Sequence, residues 1–122
     1  MANLVNFVLT CESRNEADNI ARVLLEKRLI ACAKFAPVEC IYWWEGKIDS
    51  GLEVLLVMDS REDLFDAAEA EVAKLHGYNT FVLQAFPATR VSKKAVAWLD
   101  KELRPIQNKK HVRTGRQNAK IG

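Results

Sequence analysis

The stretch Cys40–Gly51, CIYWWEGKIDSG, decides the fold. It holds two of the three Trp and one of the two Tyr, and the residues before Glu45 are the aromatic and β-branched types that favour half-buried strands. Gly46 and then Ser50-Gly51 mark positions where the chain can turn or bulge without a Cβ penalty. Because a second apolar run, Leu52–Met58, follows, the pattern predicts a β-hairpin, the longest in the chain.

The adjacent residues Trp43 and Trp44 predict an apolar contact in addition to the core of the domain. Neighbouring residues on a strand point to opposite faces, so one core cannot cover both indoles. At least one of them therefore lies exposed or is covered by another surface, and a large exposed aromatic patch usually marks a binding site.

The residues before the hairpin predict a strand, a helix and a second strand. Leu4–Thr10 is an apolar strand, and Ser13-Arg14-Asn15-Glu16 has the form of a capping box in which Glu16 reaches back to Ser13. Leu29–Phe35 is a second extended run, and Pro37 after it indicates an edge or bulge. The helix between them has apolar residues at helical spacing, namely Ala17, Ile20, Ala21, Leu24 and Leu25.

The residues after the hairpin predict a helix, a strand and a last helix. Ser60 is the expected N-cap of a helix over Arg61–Leu75, and Gly77 suits a left-handed C-cap. Thr80–Phe86 has the pattern of a strand, and a helix over Lys93–Leu103 follows Ser92.

The order β-α-β-β-α-β predicts an α+β fold, a ferredoxin-like sandwich with a long hairpin between its second and third strands and a C-terminal helix. The usual strand order 4-1-3-2 places Cys11 and Glu12 near His76 and Tyr78. Both faces of the predicted sheet are apolar, whereas the two helices cover only one. We therefore expect subunits to associate through the sheet.

Composition and charge indicate one domain of 122 residues with a basic tail. Residues 1–103 carry 12 Lys and Arg against 16 Asp and Glu, and residues 104–122 carry six basic residues and no acid. We expect 1–103 to fold and 104–122 to be a disordered tail. The tail gives the only electrostatic reason to expect nucleic acid, and a weak one.

The N-terminal residues resemble neither a signal peptide nor a membrane span, since Leu4–Leu9 is short and interrupted by Asn6. The three cysteines form no C-x-x-C pair, which fits reduced thiols in the cytoplasm. No nucleotide loop, nucleophile elbow or metalloprotease helix is present, so we do not expect an enzyme.

Cys11, His76 and Glu12 are the candidate metal ligands, because thiolate and imidazole suit copper and zinc. Cys32 and Cys40 are eight positions apart on an extended chain, roughly 26 Å, so they cannot share an ion within one chain. The alternative for His76 is a core residue that continues the apolar row Phe65–Val72.

Four segments resemble the CutA family of divalent-cation tolerance proteins. They are Glu26–Ala33, Ile41–Ile48, Glu53–Leu56 and Leu75–Tyr78, in order and with matching spacing. The resemblance implies a ferredoxin-like subunit in a homotrimer of the PII architecture. It also implies a role in tolerance to copper and other divalent cations, through direct binding of the ion or another mechanism.

The resemblance implies a ligand cleft lined by Trp44, Glu45 and Tyr78, so the alternative function is a PII-like small-ligand sensor or interaction module without metal chemistry. The sequence departs from the family's usual His-Pro-Tyr-Glu-x-Pro-Glu, which is here His76–Val82, HGYNTFV. Asp59 also stands where the family usually has Lys.

Overall fold

A computed structural model describes residues 3–106, and the predicted ferredoxin-like α+β sandwich is confirmed. All neighbouring strands are antiparallel in the order β2-β3-β1-β4, which is the predicted order. The predicted basic tail lies outside the described residues from 107 onward. The elements are β1 (Leu4–Cys11), α1 (Arg14–Glu26), β2 (Cys32–Trp44), β3 (Lys47–Arg61), a 3-10 turn (Glu62–Leu64), α2 (Phe65–Leu75), β4 (Leu83–Pro87) and α3 (Lys93–Glu102).

The core lies on the sheet face that α1 and α2 cover. Every second residue of β1 is buried, as the period of a strand requires. The core also contains the inward face of α1 and buried residues of β3, α2 and α3. The largest fully buried members include Phe7, Leu9, Ile20, Leu24, Leu29, Ile30, Leu56, Met58 and Val72. Leu25, which we expected in this core, is 39% exposed.

The hairpin is longer than the sequence predicts. Its two-residue turn is Glu45-Gly46, with φ of 49° and 81°, the left-handed conformation of a type I′ turn. Ser50-Gly51 forms no turn and lies within β3, where Tyr42 Oη comes within 3.7 Å of a Cβ placed on Gly51. This distance is an ordinary van der Waals contact, so the strand continues past Gly51 without requiring a glycine there.

The predicted start of α2 at Ser60 is wrong. β3 continues through Arg61, and the buried Ser60 hydroxyl donates to the carbonyl of Leu29 at 2.6 Å instead of capping a helix. α2 then begins at Phe65 after the 3-10 turn. A buried serine that ties two segments together has the same sequence pattern as an N-cap, so the sequence does not separate these roles.

Two further boundaries after α2 differ from prediction. Gly77 is not a left-handed C-cap, because His76 ends α2 in an extended conformation and Gly77 is not among the residues with positive φ. β4 begins at Leu83 rather than at Thr80. The segment between α2 and β4 is therefore a loop that lies beside the end of β1.

Much of the exposed apolar surface among residues 3–106 is on the hairpin and on the sheet face opposite the helices. Trp43 and Trp44 are 72% and 55% exposed, so neither indole is buried within one subunit. Pro37 lies on β2, an edge strand, as its position predicts. Other exposed apolar residues are Ile41, Ile48, Leu52 and Phe86. No helix within residues 3–106 is long and apolar enough to cross a membrane.

The chain remains attached to the domain one residue past the predicted boundary at Leu103. Arg104 donates its backbone N–H to Arg28 O at 2.9 Å, and its guanidinium donates to Lys27 O at 3.1 Å. The buried Arg61 guanidinium donates to Arg104 O at 2.6 Å and pairs with Asp63. Arg104 is therefore part of the folded domain.

Candidate functional site

Three potential metal ligands converge where β1 ends. One ligand atom each from Cys11, Glu16 and His76 lies within 4.8 Å of the other two. Cys11 is the last residue of β1, Glu16 is in the first turn of α1, and His76 directly follows α2. The fold thus brings together residues 65 positions apart, and we call these three the Cys11 cluster.

Glu16 is held by two backbone amides. Its carboxylate accepts from Glu12 N–H at 2.8 Å and from Gly77 N–H at 2.6 Å, while Ser13 Oγ accepts from Glu16 N–H at 3.1 Å. Ser13 is therefore the predicted N-cap. The return bond differs from prediction, because Glu16 reaches past Ser13 to Glu12 and across to the loop after α2.

His76 has both ring nitrogens in hydrogen bonds. Nε2 lies 2.9 Å from Thr10 O, and Nδ1 accepts from Tyr78 N–H at 3.0 Å. A carbonyl oxygen only accepts and an amide N–H only donates, so these partners assign the proton to Nε2 and a neutral imidazole. The ring also stacks on Phe81 with centroids 5.4 Å apart.

The Cys11 thiol is fully buried in the core. Burial raises its pKa to about 12, and the charges of Glu16 and Glu53 add to the effect. The sulfur is therefore a neutral thiol near pH 7, and it can become a thiolate ligand only if an arriving cation takes the place of its proton.

Of the three predicted metal ligands, the structure brings together Cys11 and His76. Glu12 contributes its backbone N–H to Glu16, whereas its carboxylate lies outside the three-residue cluster. Glu16 was missed, since the sequence pattern assigned its side chain to capping. The sequence feature that could have identified Glu16 is its position. It lies in the first turn of a helix that begins three residues after Cys11, and side chains in such a first turn lie close to the end of the preceding strand.

The predicted ligand cleft is not assembled within one subunit. Tyr78 Oη donates to Glu53 at 3.4 Å, whereas Trp44 pairs with Lys47 at the hairpin tip. Glu53 lies six residues beyond Lys47 on β3, about 20 Å along the strand. Trp44 and Glu45 can therefore meet Tyr78 only if they belong to a neighbouring subunit.

Glu53 has protonated neighbours. Burial, the carboxylate of Glu53 and that of Glu12 raise the pKa of Tyr78 to about 12. Burial, and to a smaller extent the charge of Glu53, also raises the pKa of Cys40.

Cys32 lies elsewhere on β2, where Lys34 Nζ is 3.9 Å from its sulfur and forms an ion pair with Asp59. Cys32 and Cys40 therefore do not join the Cys11 cluster.

Residues 5–102 match the family model described as CutA1 divalent ion tolerance protein. The Divalent-cation tolerance protein CutA of Archaeoglobus fulgidus is 38% identical over 96 residues, covering 78% of this chain and 94% of that protein. The protein of the same name from Pyrococcus horikoshii is 34% identical over 86 residues, with coverages of 70% and 84%.

Solved structures of similar proteins share the fold. The A. fulgidus protein, described as a periplasmic divalent cation tolerance protein, superposes with a TM-score of 0.80 at 34% identity and covers 81% of this chain and 97% of its own. CutA1 from Oryza sativa gives a TM-score of 0.82 at 29% identity, with coverages of 84% and 95%.

Proposed function

Because this chain belongs to the CutA1 divalent ion tolerance family, we propose that it acts in tolerance to divalent cations by binding a soft or borderline cation, copper foremost, at the Cys11 cluster. The active form is a cytoplasmic homotrimer. Binding and exchange of the cation, rather than catalysis of a reaction, is the activity that these residues can provide.

The convergence of the cluster's three donor atoms supports this proposal most directly. One sulfur, one nitrogen and one oxygen donor make a set that suits copper and zinc better than magnesium or calcium, which prefer oxygen alone. The donors come from β1, α1 and the end of α2, so packing of the core fixes their separation before any ion arrives.

The cluster's own hydrogen bonds make ion binding conditional. Glu16 can keep both amide bonds and still offer lone pairs, because a carboxylate has about four acceptor sites. Cys11 must lose a proton. Ligation through His76 Nδ1 takes the lone pair that accepts from the Tyr78 amide. Ligation through Nε2 gives up the bond to Thr10 O and moves the proton to Nδ1, which then cannot accept from that amide either. Binding is therefore linked to release of the loop at Tyr78.

Two surfaces support the homotrimer. The sheet face opposite the helices has no cover within residues 3–106, and the hairpin presents Ile41, Trp43 and Leu52 at 72–76% exposure. Burial of such side chains is the main driving force for subunit association. Copies of this chain are the proposed partner, in agreement with the architecture that the family resemblance implies.

A small-ligand sensor is the second candidate. The wide separation of Trp44 from Tyr78 within one subunit favours it, because assembly would then create the cleft at a subunit boundary. Such a cleft would combine Trp44 and Glu45 of one subunit with Tyr78 of another.

Titration calorimetry of the tag-free protein with Zn²⁺, and with Cu⁺ under anaerobic conditions, tests the metal proposal. Because the thiolate and the carboxylate would be ligands, we expect Cys11→Ser and Glu16→Gln each to weaken binding by about tenfold or more. Cys32→Ser and Glu12→Gln are matched controls that leave affinity unchanged. Equal affinity of Cys11→Ser and wild type would refute the site, and stronger stabilisation by organic anions than by cations would favour the sensor.

A further inference from the structure

The loop between α2 and β4 is held by few contacts, and two of them involve the Cys11 cluster. Among residues 3–106, no hydrogen bond between backbone groups holds residues 77–82. Gly77 N–H donates to the Glu16 carboxylate at 2.6 Å. Tyr78 N–H donates to His76 Nδ1 at 3.0 Å. The conformation of this loop therefore depends on two of the side chains that would bind a cation.

Tyr78 has a second attachment, which is on the hairpin. Its hydroxyl donates to the Glu53 carboxylate at 3.4 Å, and its ring centroid lies 5.0 Å from that of His76. Glu53 lies within β3 and pairs with Val38 of β2, so the sheet fixes its backbone. Tyr78 therefore links the Cys11 cluster, through its amide, to the hairpin strand, through its hydroxyl.

A cation that takes His76 as a ligand removes the first of these attachments. Whichever ring nitrogen binds the ion, Nδ1 no longer accepts from the Tyr78 amide. The amide then needs a water molecule as its acceptor, so residue 78 must move away from the imidazole to admit one. The Oη to Glu53 distance of 3.4 Å already exceeds the usual O–H···O range of about 2.5–3.0 Å, so this movement breaks the second attachment as well.

We propose that Tyr78 is a latch, whose hydrogen bond to Glu53 keeps the loop closed on His76 and which opens when a cation binds at the Cys11 cluster. This inference rests on the proposed function, because it describes how that cation site is regulated. Tyr78 is a positioning residue, since it sets the availability of His76 without contacting the ion. The loop and the cation compete for the same imidazole, and the bond to Glu53 favours the loop.

The latch couples the cation site to the hairpin in both directions. Binding of a cation frees the Glu53 carboxylate on the strand that leads to the hairpin tip. Conversely, a protein that lacks the bond between Tyr78 and Glu53 opens more readily, and it binds the cation more tightly because a larger fraction of the protein is ready to bind.

Titration calorimetry of the full chain with Zn²⁺ tests the latch through Tyr78→Phe, which keeps the ring and the amide and removes only the hydroxyl. We expect this variant to bind Zn²⁺ about two- to tenfold more tightly than wild type does, which is the effect of one ordinary hydrogen bond. Loss of packing or of a ligand would weaken binding, so the direction of the change is diagnostic. Tyr42→Phe is the matched control, because the Tyr42 hydroxyl lies beside Gly51 instead, and it should bind as wild type does.

Amide hydrogen exchange, measured by NMR on the metal-free protein, tests the closed loop without a cation. The amide of residue 78 should exchange about two- to tenfold faster in Tyr78→Phe than in wild type, because the loop opens more often. Tyr42→Phe should leave this rate unchanged. In wild type, saturating Zn²⁺ should accelerate exchange of the same amide.

The two measurements separate failure of the latch from failure of the cation site. Absence of Zn²⁺ binding by wild type would refute the proposed function and, with it, the coupling to a cation. Zn²⁺ binding that requires Cys11, together with equal or weaker affinity of Tyr78→Phe, would overturn the latch alone. An unchanged exchange rate of residue 78 in metal-free Tyr78→Phe would also overturn the latch, whether or not Zn²⁺ binds.

Discussion

Backbone groups fix the donors of the Cys11 cluster. Two amides hold Glu16, and an amide and a carbonyl hold His76. These bonds orient the side chains before any ligand arrives. The Glu16 carboxylate keeps lone pairs for an ion, whereas His76 must give up hydrogen bonds to bind one. The free energy of binding an ion here must exceed that of the hydrogen bonds that the ion replaces. This requirement favours cations with high affinity for sulfur and nitrogen.

The buried Cys11 thiol makes stability depend on pH in the alkaline range. Its pKa is raised from 9.0 to about 12, so the folded state keeps a proton that the unfolded state loses above pH 9. This contribution is complete below pH 9 and declines as the pH rises toward 12. We expect the melting temperature to fall between pH 9 and 10, and to fall less in Cys11→Ser, as measured by circular dichroism.

A loss of stability between pH 9 and 10 can be assigned to Cys11 rather than to Tyr78. The ordinary pKa of Tyr78 is 10.0 and is raised further in the folded protein, so its effect on stability develops above pH 10. Cys32→Ser is the matched control, since Cys32 is a partly buried cysteine that lies outside the Cys11 cluster. A pH dependence that is the same in Cys11→Ser and wild type would contradict the assignment of this effect to the buried thiol.

The loop after α2 depends on Gly77. A Cβ there would lie 2.9 Å from the Glu16 carboxylate, which two hydrogen bonds hold in place. We expect Gly77→Ala to lower the free energy of unfolding by about 1–3 kcal/mol, since Glu16 must move and leave an amide unpaired. Chemical denaturation measures this. Gly51→Ala, with its nearest neighbour at 3.7 Å, should be neutral, and equal effects of the two variants would refute the argument.

The sequence predicts two members of the cluster and misses the third for a physical reason. Cys11 and His76 are chemically distinctive, and the strand order predicted that they meet. Glu16 is both a side chain at the start of α1 and a member of the Cys11 cluster. Only the first of these two roles can be recognised from the neighbouring residues in the sequence. Glu12 was favoured by its position next to Cys11, but adjacent residues at a strand end point in different directions.

At the scale of elements, the periodicity of apolar residues predicts which helices and strands are present better than it predicts where they begin and end. All four strands and three helices were predicted, because alternating and helical apolar patterns record which face meets the core. The misplaced boundaries involve Ser60, Gly77 and the polar part of the hairpin. In each case a residue typical of a turn or cap is used for a tertiary contact, which local pattern cannot predict.

The C-terminal boundary gives a prediction at this scale. Truncation after Leu103 removes the Arg104 carbonyl that accepts from the buried Arg61 guanidinium, as well as the amide bond to Arg28. A buried donor left unpaired costs about 1–3 kcal/mol, so we expect a melting temperature several degrees below that of a truncation after Ile106. Differential scanning calorimetry compares the two proteins. Equal melting temperatures would show that Arg104 contributes nothing to stability.

At the scale of the whole molecule, the hairpin carries half of the large apolar side chains that are exposed among residues 3–106. These side chains are Ile41, Tyr42, Trp43, Trp44, Ile48 and Leu52. A surface rich in Trp and Ile suits a permanent protein contact, and a surface rich in Lys suits a dissociable one. We therefore expect self-association through the hairpin and the open sheet face.

Self-association is the last prediction. Burial of a Trp-sized surface of about 200 Å² contributes up to about 5 kcal/mol, and each subunit presents several such side chains on its hairpin. We expect sedimentation at low micromolar concentration to give a mass of about 41 kDa, three times the 13.8 kDa chain. Trp43→Ala should shift the mass toward the monomer and lower the melting temperature at the same time, because assembly and folding are linked. Trp98→Ala, an exposed indole outside the hairpin, should leave the mass unchanged. A monomeric wild type would refute burial of the hairpin by copies of this chain, and a dimer would refute the threefold symmetry.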